Sequence, residues 1–162
     1  MDWQSDEGKA LLWKAYPDGY LSTRGVHTLH RYECISSDQK ACWIQWSGER
    51  VERTGDAWRV NGTPTAQSRA HRQGGLLPLP DVTDGATWAC LLQDLAQALG
   101  WPDCSNLVWV ARVSMYKGMW FLARAIPGPA WEGARDFVLA TEDAAEALVR
   151  AKIQIVSKGA VA

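Results

Sequence analysis

The chain has 162 residues, 47% of them hydrophobic and 22% charged, with a formal net charge of −1 at pH 7. That allows one ordinary domain or two small ones, with enough apolar material to fold without metal or disulfide staples. The near-neutral balance excludes a global basic field of the kind that drives nonspecific nucleic-acid binding, and with ten Lys/Arg against nine Asp/Glu in 1–80 and seven against nine in 81–162, neither half is a charged arm.

Residues 9–60 read as short strands joined by turns, an antiparallel meander. Leu11 to Tyr16 is a first run, Pro17-Asp18-Gly19 a turn and Tyr20 to Thr23 the return. Thr28 to Ile35 and Ala41 to Trp46 flank the polar turn Ser36-Ser37-Asp38-Gln39-Lys40. Arg50 to Thr54 and Ala57 to Val60 flank Gly55-Asp56. Residues 61–80, with Asn61-Gly62-Thr63-Pro64, Gln73-Gly74-Gly75 and Pro78-Leu79-Pro80, predict a long loop or a boundary between halves.

Residues 84–99 predict a helix. Trp88, Leu91, Leu92, Leu95 and Leu99 form one stripe, Asp84 suits the N-cap, and Gly100 and Pro102 end it. A hairpin follows, from Leu107 to Val113 and from Met119 to Ile126, turning at Tyr116-Lys117-Gly118. Residues 135–140 predict a third strand, and Glu142 to Ile155 a final helix capped by Thr141, with a stripe of Ala144, Ala147, Leu148, Ala151 and Ile155. The fold class expected is α+β: a β-rich half over 1–75 and an α-β-β-β-α half over 76–162, its two helices packed on an antiparallel sheet, the halves free to share one core. The hairpin is apolar on both faces, so its second face needs a cover from the meander or from a second copy.

Chemistry-bearing motifs are scarce. Gly-x-Gly-x-x-Gly, a Walker loop, Gly-x-Ser-x-Gly and His-Glu-x-x-His are all absent, so no catalytic residue, cofactor or metal is assigned. His27, His30, Cys34 and Cys42 match no standard zinc spacing, and on a strand His27 and His30 fall on opposite faces. The stretch 57–80 contains Arg59, Arg69, His71 and Arg72 and no acidic residue. Arginines there can grip phosphate, with Trp46 and Trp58 to stack on a base or sugar.

Ten residues are tryptophan, against two phenylalanines and four tyrosines. Trp88 and Trp109 sit on core stripes. Trp120 lies on the sheet face that needs a cover, and Trp3, Trp101 and Trp131 are candidates for exposed contact residues. The N-terminus is acidic and resembles no signal peptide, and no run approaches the roughly 18 apolar residues of a membrane span, so a cytoplasmic location without membrane attachment is expected. A reducing compartment leaves the four cysteines Cys34, Cys42, Cys90 and Cys104 as free thiols. Cys34 and Cys42 can face each other across a hairpin, although spacing alone does not fix pairing.

The hairpin, Gly128-Pro129-Ala130-Trp131, Phe137-Val138-Leu139 and the helix opening Thr141-Glu142-Asp143-Ala144-Ala145-Glu146-Ala147-Leu148 resemble small phage and prophage proteins with an α/β sandwich. The resemblance covers about a third of the chain and implies a phage-derived accessory protein that binds; it transfers no catalytic residue. The function expected is a noncatalytic interaction protein with a protein partner, a homodimer included, and Trp101, Trp120 and Trp131 as candidate interface. The alternatives are a nucleic-acid or phosphate-binding module using Arg59, Arg69, His71 and Arg72, and a sugar-binding module using exposed indoles.

Overall fold

The computed structural model describes residues 1–23, 25–36, 41–98, 111–116, 119–124 and 141–159. Its elements run α1 (Asp6–Ala15), β1 (Val26–Cys34), β2 (Cys42–Thr54), β3 (Ala57–Val60), β4 (Thr63–Thr65), α2 (Gln67–His71), β5 (Leu77–Pro80), α3 (Gly85–Ala98), β6 (Ala111–Tyr116), β7 (Met119–Arg124) and α4 (Ala144–Gly159). The chain is α+β, as its patterning implies. Contacts divide it into two compact units, Asp2–Cys90 and Met1 with Leu91–Ala162.

The Asp2–Cys90 unit holds an antiparallel sheet in the order β4-β3-β2-β1-β5. β1 pairs along its length with β2, from Val26 opposite Glu52 to Cys34 opposite Cys42. The register shifts between Leu29 and Arg31, where β2 takes up the extra length around Gly48 at φ 60°. Leu12, Leu29, Tyr32, Ile44, Val51, Trp58, Ala70, Leu79 and Val82 are buried in this unit.

The first predicted hairpin is a helix instead. Leu11–Ala15 belongs to α1. Ser5 caps it, its Oγ accepting from the Gly8 N–H, and Asp6 and Glu7 occupy the first turn, where the helix dipole favours them. Gly8, Leu12 and Ala15 are its buried stripe. The Pro17-Asp18-Gly19 turn does form, closed by Gly19 N–H to the Tyr16 carbonyl at 3.0 Å, but it leaves a helix rather than a strand. Trp3 is buried at 7% exposure, so it is no exposed contact.

The predicted long loop 61–80 is also ordered. β4 and β5 join the sheet, and α2 lies between them. β5 pairs with β1 even though it is Leu77-Pro78-Leu79-Pro80. Among the described residues it is an edge strand with a partner strand on one side only, so its prolines need no ladder donors toward the other, where the Pro78 carbonyl accepts from the Tyr20 N–H at 2.8 Å.

The helix predicted at 84–99 is α3, and Asp84 caps it by accepting from the Thr87 N–H at 2.9 Å. In the other unit β6 and β7 form an antiparallel hairpin, Tyr116 opposite Met119. The α4 cap is Asp143 rather than Thr141. Asp143 Oδ1 accepts from the Glu146 N–H at 3.0 Å, and Oδ2 meets the chain's amino group at 3.0 Å. Thr141 bonds Asp143 instead, one step outside the helix. Residues 107–110, the third predicted strand, Trp101, Trp109, Trp131 and the Gly128–Trp131 segment lie outside the described residues.

Gly8 shows how tightly the N-terminal segment lies on α1. A Cβ there would stand 2.4 Å from the Asp2 carbonyl oxygen and 2.7 Å from the Trp3 Cα, both backbone. Gly8→Ala is therefore expected to destabilise by about 1–3 kcal/mol through overpacking, read as a lower midpoint in urea unfolding. Gly85→Ala, at a helical site with open space around it, is the control and should be neutral or slightly stabilising.

Candidate interaction surface

β1 concentrates the buried polar side chains. His27 is fully buried, and its Nε2 accepts from the Ser22 N–H at 3.4 Å while its ring meets Tyr20 edge-on. His30 packs against Trp46 at 4.5 Å between ring centroids. Its Nδ1 accepts from the Gly48 N–H at 3.3 Å and its Nε2 faces Asp81 at 3.5 Å. Both ring nitrogens are occupied, so this histidine–carboxylate pair pins β1 to the end of β5 and presents no free lone pair as a base. The bond from His30, with help from Thr83, holds the Asp81 carboxyl down at about 2.

Arg31, at 2% exposure, pairs through Nε with Glu49 and donates from Nη1 to the Ala70 carbonyl at 2.9 Å. It satisfies a carbonyl at the C-terminal end of α2, where a cation also suits the helix dipole. Its Nη2 is buried with no hydrogen-bond partner. Tyr32 donates to the Tyr16 and Pro17 carbonyls that end α1. Burial pushes its hydroxyl well above the ordinary tyrosine range, which keeps the proton those carbonyls require.

The predicted basic cluster is split by the sheet. Arg31 reaches α2 on the face that also carries Val51 and Trp58, as the registers Val51–Val60 and Arg53–Trp58 place them. Arg69 and Arg72 are exposed and His71 is half-buried on this segment. Arg59 alternates to the opposite face, in register with Glu52. Trp58 is buried under the Arg53 guanidinium at 5.2 Å, and Trp46 is half-buried against His30. Neither indole is presented for stacking. His27 and His30 lie on opposite faces, so no shared ligand site forms from them. Trp120 is placed in β7, opposite Met115.

The exposed apolar groups are elsewhere, at the closed end of the β1–β2 hairpin. Ile35 is 68% exposed and Trp43 is 48% exposed, whereas Trp3 and Trp58 are buried and Trp13, Trp46 and Trp88 are half-buried. Glu33 is the partner of Trp43, and the Ile35 N–H continues the ladder by donating to the Ala41 carbonyl at 2.9 Å. Ile35 and Trp43 are thus diagonal neighbours on one sheet face, within reach of each other. The same bond makes Ile35–Ala41 a hydrogen-bonded pair, so Cys42 and Ile44 turn their backbone N–H and C=O away from β1. β3 pairs with β2 only over Val51–Thr54, and no described strand lies along β2 between Cys42 and Ser47. Sequence patterning did not single out Ile35 or Trp43: their alternation reads as an ordinary half-buried strand, and the unequal lengths of β2 and β3 that bare the edge leave no local signal.

No protein-family model matches the chain, and no curated protein or solved structure matches it.

Two measurements test these anchors. Burial lowers the His27 pKa from 6.5 to about 4, so the unfolded chain takes up this proton more readily than the folded one. The neutral ring's contribution is present above pH 6.5 and should be lost progressively as pH falls to about 4, on the order of 3 kcal/mol when complete. Urea unfolding at a series of pH values checks this, and His27→Gln should flatten the slope over that window whatever its stability at pH 7. Arg31→Met should cost roughly 3–5 kcal/mol by leaving Glu49 and the α2 carbonyl without their partner. The Arg31→Met, Glu49→Gln pair should cost less than the sum of its singles in a double-mutant cycle.

Proposed function

We propose that this chain is a noncatalytic interaction protein of the cytoplasm that docks an extended protein segment along the free side of β2. The observation that carries the reading is Trp43 and Ile35 exposed together on one face beside outward-turned backbone groups. A β-strand laid on such an edge gains main-chain hydrogen bonds for affinity and an aromatic anchor for specificity. A second copy of the chain is the first occupant considered: two β2 edges can pair antiparallel about a two-fold, each supplying what the other needs. The resemblance of the C-terminal third to phage accessory proteins supports a binding role.

The competing readings have less support. A phosphate or nucleic-acid site loses Arg59 to the opposite sheet face, and the remaining basic residues stand at the negative end of α2. A sugar platform finds Trp3 and Trp58 buried and Trp13, Trp46 and Trp88 half-buried.

Gel filtration with light scattering over a wide concentration range tests self-docking. The wild type is expected to approach twice the chain mass as concentration rises. Ile35→Ser with Trp43→Ser should restore the monomer while shifting stability by no more than about 0.5 kcal/mol, since both side chains are exposed. A wild type that stays monomeric throughout removes the self-docking reading, and a double variant that still dimerises removes this surface.

A further inference from the structure

We propose that Cys34 and Cys42 form a reversible cross-strand disulfide site, oxidised by a low-molecular-weight disulfide of the glutathione class. The two residues are directly opposed in the β1–β2 register. The Ile35 N–H to Ala41 carbonyl bond makes theirs the adjacent, non-hydrogen-bonded pair. Pairs of that type hold their Cα atoms about 4.5 Å apart with both side chains on one face, inside the roughly 4.4–6.8 Å that a disulfide spans. The Cys42 thiol donates to the Trp43 carbonyl at 3.9 Å, and Cys34 is among the neighbours that raise it. Both thiols are reduced and half-buried, whereas Cys90 is buried and donates to the Val26 carbonyl. The site is therefore a matched pair with solvent access at the hairpin's end, on the face opposite Ile35 and Trp43.

The exchange balances in two steps. The Cys34 thiolate attacks one sulfur of the small disulfide, forming a mixed disulfide while one small thiolate leaves. Cys42 then gives its proton to solvent and attacks the Cys34 sulfur; the Cys34–Cys42 bond forms as the second small thiolate leaves. The two small thiolates take up the two protons that the cysteines gave to solvent, so two electrons and two protons reduce the reagent to two thiols. Burial, and then neighbouring Cys34, push the Cys42 thiol up to about 12, which makes it a poor first nucleophile and assigns the opening attack to Cys34. The proposal does not depend on what docks at β2.

The test equilibrates the full wild-type chain with oxidised glutathione, alkylates the remaining thiols, and maps intact and proteolysed protein by mass spectrometry. The expected product has lost two hydrogens, carries a peptide cross-link between Cys34 and Cys42, and reverts with dithiothreitol. Its thermal midpoint should stand several degrees above that of the reduced chain, because the cross-link restricts the unfolded state. Cys42→Ser should stop at a glutathione adduct on Cys34. A wild type that keeps all four thiols alkylatable, accumulates the adduct without closure, or cross-links through Cys90 or Cys104 overturns the proposal; this readout needs no variant to fold.

Discussion

The Asp2–Cys90 unit depends on one requirement: the polar side chains buried on β1 must find partners. Within six residues, from His27 to Tyr32, the strand buries two histidines, an arginine and a tyrosine. A polar group left unpaired in such a place costs far more than a made hydrogen bond gains. Each is matched to a different piece of chain: His27 takes the Ser22 N–H, His30 joins Gly48 and Asp81, Arg31 holds Glu49 and the end of α2, and Tyr32 holds the end of α1. Even the backbone takes part, since the Thr28 N–H donates to Thr87 Oγ1 on α3 at 2.8 Å. The strand is thus a hub. Its apolar neighbours supply the driving force, and its polar atoms select which segments pack there and in what register. The orphaned Trp13 Nε1, His27 Nδ1 and Arg31 Nη2 mark where that matching is incomplete.

This arrangement explains what patterning could and could not reach. Turns and single-helix stripes are local, and they were legible: Pro17-Asp18-Gly19, Gly55-Asp56, the Asp84 cap and the Leu91–Leu95 stripe all stand where their chemistry puts them. α1 escapes local patterning because its decisive residue, Ser5, lies well before Leu11, and an apolar run apart from its cap does not reveal its period. β5 was missed for a different reason. Leu77-Pro78-Leu79-Pro80 lacks two backbone donors and looks like a breaker; only an edge position beside β1 makes it a strand. α2 is short and owes its place to Arg31, more than thirty residues away, a contact to which no window of sequence is sensitive.

The tryptophans carry the same lesson for the candidate site. Trp3, a candidate for exposure by its position in the chain, folds onto its own unit's core instead, and Trp58, a candidate for stacking, goes under Arg53. Trp43 lies at the start of β2 with ordinary alternation, yet it faces solvent, on the face it shares with Glu33 and Ile35. The basic cluster fails to converge for an equally simple reason. Arg59 sits one residue from buried Trp58, and on a strand adjacent side chains point to opposite faces.

The two ends of the β1–β2 hairpin consequently differ in kind. At one end, from Val26 to Tyr32, polar anchors tie β1 to α1, α2, α3 and β5. Beyond Tyr32 these polar anchors stop, and the described ladder runs on to Ile35–Ala41. A bare edge carrying an aromatic group is an aggregation hazard that folded proteins usually blunt. Here the blunting is slight: Glu33 opposes Trp43, and Gln45 and Ser47 keep the neighbouring exposed positions polar. A surface maintained only for stability would bury or replace Trp43 and Ile35 at little cost to the core, because neither takes part in it. Their exposure, on a stretch that no described strand flanks, is the observation on which the proposed docking rests.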